Sequence, residues 1–114
     1  MYTDLHIHSH YSDGTYSPTE IVQLAEEKGL QNLALTDHST LQGLEEFKQA
    51  VEKSSLLGIL GVEISASFMG SDPHILGYCI DENDGKLQQL VRKLARARRE
   101  NTKRIVKKLS KQGR

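Results

Sequence analysis

Residues 3–65 read strand, helix, strand, helix, strand, and this alternation limits the fold more than any single residue does. Residues 3–9 (TDLHIHS) alternate polar and apolar, the period-two pattern of a strand. Ser17-Pro18-Thr19-Glu20 combines a capping box with proline at the first helical position, so a helix starts there. Ile21, Leu24, Ala25 and Lys28 follow at helical spacing, and Gly29 is its stop. Residues 32–38 (NLALTDH) read as a second strand. Ser39-Thr40-Leu41-Gln42 repeats the capping-box pattern, and the helix expected from it bears Leu41, Leu44, Phe47 and Val51. Residues 56–65 (LLGILGVEIS) are a third strand and residues 74–80 (HILGYCI) a fourth, with turn composition from Gly70 to Pro73 between them. One long basic helix is expected over 85–112. Parallel strands need a long crossover between them, which the intervening helices supply. The expected fold class is therefore α/β, a layered sheet or barrel with parallel strands. Such folds gather their chemistry at the carboxyl ends of strands, where His38 and Glu63 fall.

On the first strand Asp4, His6 and His8 share one face, with Leu5 and Ile7 on the other. Two imidazoles at that spacing stand about 6.5 to 7 Å apart at Cα, close enough to share one metal ion. Polar residues on an exposed strand face produce the same pattern. Asp13, His38, Glu63 and His74 add nitrogen and oxygen donors of the kind that zinc, manganese and iron accept. Glu63 is the most telling, because a carboxylate inside an apolar run is costly to bury alone. A metal, a lysine or an exit to solvent at the strand end would each resolve that cost. Asp13, in Ser-Asp-Gly, is a turn former or a ligand. Asp37 is a partner for the next helix's free amides, or for His38, whose imidazole it would then orient. His10 joins the same face only if the strand runs on, and is otherwise a loop residue.

Fifteen basic and fifteen acidic side chains cancel overall, but they are divided along the chain. Residues 1–85 hold fourteen acidic and three basic side chains, residues 86–114 twelve basic and one acidic. The cationic segment is either a solvated helix face held near its own acidic body or a surface that meets phosphate. No run approaches the ~20 apolar residues of a membrane span, and the polar start MYTDLH carries no signal-peptide pattern. A single soluble cytoplasmic domain is expected. The lone Cys79 cannot form an internal disulfide, in agreement with a reducing compartment.

Together these residues resemble the PHP (polymerase and histidinol phosphatase) family of metal-dependent phosphoesterases. DLHIHSHYSDG is similar to its first motif, LTDHST to its second, GVEIS to its third and HILGY to the histidine motif that follows. The resemblance implies a distorted β/α barrel related to TIM barrels, with up to three divalent metal ions (manganese, iron or zinc) at its carboxyl-end face. Carried over by motif, His6, His8 and Glu63 would hold one ion, Glu63 and His74 a second, and Asp13 and His38 a third. A metal-bridging hydroxide would attack phosphorus in line. Arg96 and Arg99, on the basic helix, would grip nonreacting phosphates. The resemblance carries no role over to His10.

A closed β/α barrel usually needs ~250 residues. The further strands, metal-binding histidine and late Asp-x-His pair of the family do not occur in this sequence. Residues 1–114 therefore read as the amino-terminal part of a single PHP-type domain, a truncated barrel from a fragment or a naturally shortened copy. The leading functional expectation is hydrolysis of phosphate esters of nucleotides or short RNA or DNA. One alternative is a histidinol-phosphate-type phosphatase acting on a small phosphorylated metabolite. Another is a noncatalytic module that binds metal, nucleic acid or an acidic partner. An open sheet would also leave an edge and apolar surface exposed, so homo-oligomers are expected.

Overall fold

The computed structural model describes residues 2–65 and 74–113. It contains β1 (Thr3–Ile7), α1 (Pro18–Glu27), β2 (Asn32–Leu35), α2 (Leu44–Glu52), β3 (Leu57–Ser65), β4 (His74–Tyr78) and α3 (Gly85–Gly113). The turn expected from Gly70 to Pro73 lies outside the described residues.

The strands form one sheet in the order β1-β2-β3-β4. β1 with β2 and β2 with β3 are parallel, each pair joined by a crossover helix, as the alternation requires. β4 departs from the expectation of all-parallel pairing: it runs antiparallel to β3, with Glu63 opposite Leu76 and Ser65 opposite His74. β3 and β4 are too close in sequence for the long crossover that parallel pairing needs. The sheet curls into a half-barrel. Tyr78 in β4 donates its hydroxyl to the Leu5 carbonyl in β1 at 2.8 Å, although these strands lie at opposite ends of the order.

α1 and α2 cover one face of this sheet. Ile21, Val22 and Ala25 from α1, Leu44 and Phe47 from α2, and Leu33 and Leu35 from β2 are buried together. Gly58 is needed here, because a Cβ on it would stand 2.7 Å from Cγ2 of Val51. α1 begins as expected: the Glu20 amide donates to Ser17 Oγ at 3.1 Å and the Ser17 amide to Glu20 Oε1 at 3.0 Å. The second capping box does not form. α2 starts at Leu44 behind Gly43, with no side-chain cap. Ser39 sits at φ 47° and its amide donates to the Glu63 carbonyl at 2.9 Å, so its backbone is committed to β3. β1 ends at Ile7, two residues before the expected boundary, and its register shifts between Asp4 and Ile7. Cys79, at φ 55°, lies just past the end of β4. α3 buries Val91 and exposes most of its remaining surface. No described helix is long and apolar enough to cross a membrane.

Candidate metal centre

Glu63 reaches the site because β3 carries it two residues short of its carboxyl end, with Val62 facing the core. Its side chain is 4% exposed. On one side, Oε1 lies 2.6 Å from His6 Nε2 and 2.8 Å from His8 Nε2. On the other, Oε2 lies 2.6 Å from His74 Nδ1 and 3.7 Å from His38 Nδ1. His6 stands near the end of β1 and His8 just past it, His74 opens β4, and His38 follows β2 at a backbone bridge to Glu63 itself.

Asp13 approaches from the loop after β1. Its Oδ1 is 2.7 Å from His8 Nδ1 and its Oδ2 is 3.3 Å from His38 Nε2. That loop closes tightly: the Gly14 amide donates to the Ser9 carbonyl at 2.9 Å, and a Cβ on Gly14 would collide with the His8 carbonyl. Asp37 is buried behind it and accepts from the Ser9 amide (2.6 Å), Ser9 Oγ (2.7 Å) and Ser12 Oγ (2.8 Å). Through these hydrogen bonds to Ser9 and Ser12 it fixes the loop that presents Asp13. His10 is exposed, with its ring against Tyr11 at 4.5 Å, and stays outside the cluster because β1 has already ended.

Burial alone would raise the Glu63 carboxyl. Hydrogen bonds from His74, His6 and His8, and the charge of His38, outweigh that and hold it at about 2. His38 moves below its ordinary value, chiefly because burial disfavours the cation; Glu63 and Asp13 oppose the shift, while His8 and Arg98 reinforce it.

Three overlapping groups have donor atoms within 4.8 Å of one another: His6, His8 and Glu63; His8, Asp13 and His38; His38, Glu63 and His74. Grouped this way, His8 adds to the pair Asp13 and His38, and His38 to the pair Glu63 and His74. The arrangement fits cations. Among the described residues, His38 Nδ1 is buried with no hydrogen-bond partner. His8 faces a carboxylate with each nitrogen, yet a neutral ring can donate from only one. Carboxylates and imidazole lone pairs are all acceptors, and acceptors that converge call for a metal between them.

His38 also stands in the wall of a cleft of about 1200 Å³ between α3 and the loops after β1 and β2. Arg96 and Arg99 line it, together with Arg92 and Lys103, which the motif reading did not single out. Their spacing of four, three and four residues was the signal available in the sequence, since it places all four on one helix face.

The PHP domain family model matches residues 4–112. A 5′-3′ exoribonuclease of Haemophilus influenzae is 39% identical over 110 residues, covering 96% of this chain and 40% of that protein. A 3′,5′-nucleoside bisphosphate phosphatase of Chromobacterium violaceum is 34% identical over 102 residues, covering 90% of this chain and 36% of that protein. Among solved structures, a Bifidobacterium adolescentis protein described as a metal-dependent phosphoesterase superposes with a TM-score of 0.88 at 33% identity, covering 97% of this chain and 39% of that one. The chain thus spans 36–40% of the length of these three proteins.

Proposed function

Because the chain belongs to the PHP domain family, we propose that it carries the metal-binding and phosphate-gripping part of a phosphoesterase acting on nucleotides or short oligonucleotides. The observation that carries this reading is the convergence of four histidines on the two oxygens of one buried, ionised glutamate, with His38 Nδ1 left without a hydrogen-bond partner among the described residues. His6, His8 and Glu63 would hold one divalent ion, Glu63 and His74 with His38 a second, and Asp13 and His38 with His8 a third. Such ions supply Lewis acidity toward phosphoryl oxygens and lower the pKa of water.

The chain's own contribution is placement. Glu63 stays ionised at neutral pH and offers one oxygen to each side of the cluster. Asp37 holds the Ser9–Gly14 loop so that Asp13 meets His8 and His38. Arg96 and Arg99 line the same cleft as His38 and can grip phosphates that do not react. Those arginines favour a nucleotide with more than one phosphate over a small monophosphorylated metabolite.

The test is metal content per chain by plasma mass spectrometry, on protein purified without chelator or histidine tag, beside a His6→Ala, Glu63→Ala double variant. Near-stoichiometric manganese, iron or zinc, lost in the variant, is expected. Folded parent protein that takes up no metal would contradict the reading.

A further inference from the structure

Two imidazoles of the cluster are claimed twice. His8 belongs both to the group with His6 and Glu63 and to the group with Asp13 and His38, while His38 belongs both to that second group and to the one with Glu63 and His74. A neutral imidazole has one lone pair and one N–H. It can serve two ions at once only by losing its remaining proton as well, which an imidazole gives up only far above neutral pH. Glu63 is shared differently, because its two oxygens face different histidines: Oε1 meets His6 and His8, and Oε2 meets His74 and His38.

The rings are so placed that Asp13 and Glu63 contend for them. His8 turns Nε2 to Glu63 at 2.8 Å and Nδ1 to Asp13 at 2.7 Å. His38 turns Nδ1 to Glu63 at 3.7 Å and Nε2 to Asp13 at 3.3 Å. When both rings carry their proton on the Asp13 side, the N–H groups point at that carboxylate and both lone pairs point toward Glu63. The opposite tautomers turn both lone pairs to Asp13 and leave Glu63 with His6 and His74 alone.

We propose that the cluster has two mutually exclusive fillings, either two ions that share Glu63 or one ion on Asp13, with the tautomers of His8 and His38 deciding between them. The position formed by Asp13, His38 and His8 is then an alternative to the other two. As metal becomes plentiful the two-ion filling wins, because it takes up more ions and mass action favours it. In that filling Asp13 is a positioning residue: it orients two ligand rings from behind, as carboxylates do at metal-bound histidines. The inference rests on the metal-binding part of the phosphoesterase reading and deepens it by setting the number of ions at two.

Manganese titration followed by electron paramagnetic resonance tests it without requiring turnover, since free manganese gives a sharp signal and two ions on one carboxylate are magnetically coupled. The parent should bind two coupled equivalents, with no third at concentrations that saturate these. Asp13→Asn should still bind two coupled ions, at about tenfold weaker affinity. Glu63→Gln should bind one uncoupled ion, and adding Asp13→Asn to it should remove that one. Three equivalents of similar affinity in the parent, or loss of a whole equivalent in Asp13→Asn, would overturn the exclusion and leave the phosphoesterase reading standing. A folded parent that takes up no manganese would remove both.

Discussion

His38 Nδ1 and Glu63 Oε2 face each other at 3.7 Å, beyond hydrogen-bond reach, and among the described residues the buried nitrogen has no hydrogen-bond partner. A buried polar atom left in this state costs stability unless something occupies the gap. A divalent ion bound only by the folded chain adds about 3 kcal/mol when its free concentration exceeds Kd a hundredfold. For a domain of this size that raises Tm by about 10 °C. Calorimetry with manganese or zinc should show this shift in the parent chain and a clearly smaller one in Glu63→Gln, which keeps the shape of the side chain but not its charge and leaves only the group of His8, Asp13 and His38 intact.

The metal-free chain should lose stability in acid, and the sign follows from two groups. Glu63 is held at about 2, below its ordinary 4.5, so its contribution is fully present above 4.5 and disappears as pH falls toward 2. That contribution is about 3 kcal/mol. His38 also sits below its ordinary 6.5 because burial disfavours its cation, so protonating it costs the native state as pH drops under that value. Both effects act in one direction. Urea midpoints measured from neutral pH down to about 3 should fall steadily, and the part of the decline below 4.5 should be largely absent in Glu63→Gln. A flat profile in the parent would mean that the imidazoles do not stabilise the carboxylate.

Much of this architecture was legible where the deciding interaction was local. The Ser17 capping box involves residues three apart, and both of its hydrogen bonds form. The same pattern at Ser39 misled, because its amide is taken by Glu63, twenty-four positions away, which no local pattern reports. β4 was found but not its direction, although the short link from β3 already argued against a parallel return. At the site, parity placed His6 and His8 on one face, and both reach Glu63. The work of Asp37 was hidden, since its partners Ser9 and Ser12 are nearly thirty residues earlier and look like ordinary loop residues.

Replacing Asp37 tests whether the loop after β1 is held from behind. Asp37→Ala removes the acceptor of three hydrogen bonds and leaves the buried Ser9 amide without one. A loss of about 2–4 kcal/mol in chemical unfolding is expected. Asp37→Asn keeps one accepting oxygen and should fall between that variant and the parent. In the asparagine variant Asp13 should be less well placed, so manganese affinity should weaken by about tenfold or more. Gly14→Ala should have a similar effect on the metal by a different route, since its Cβ would push against the His8 carbonyl.

Self-association should follow from what the sheet and α3 leave uncovered. Among the described residues, β1 and β4 end the strand order, so each has one side without a strand partner, and Leu57 (62%) and Ile75 (56%) are exposed on the sheet. On α3, Ile105, Val106 and Leu109 are each at least half exposed and, at positions i, i+1 and i+4, share one side of the helix. Apolar groups gathered on one side favour burial against a second surface more than scattered ones do. Sedimentation at tens of micromolar should therefore give a species larger than one chain. Ile105→Glu, Leu109→Glu should shift it toward the monomer with little change in helix content, because both positions are solvent-facing and glutamate is a good helix former. If that variant still associates as the parent does, the contact lies at the sheet edges, and a charged substitution at Ile75 on β4 should be the one that releases it.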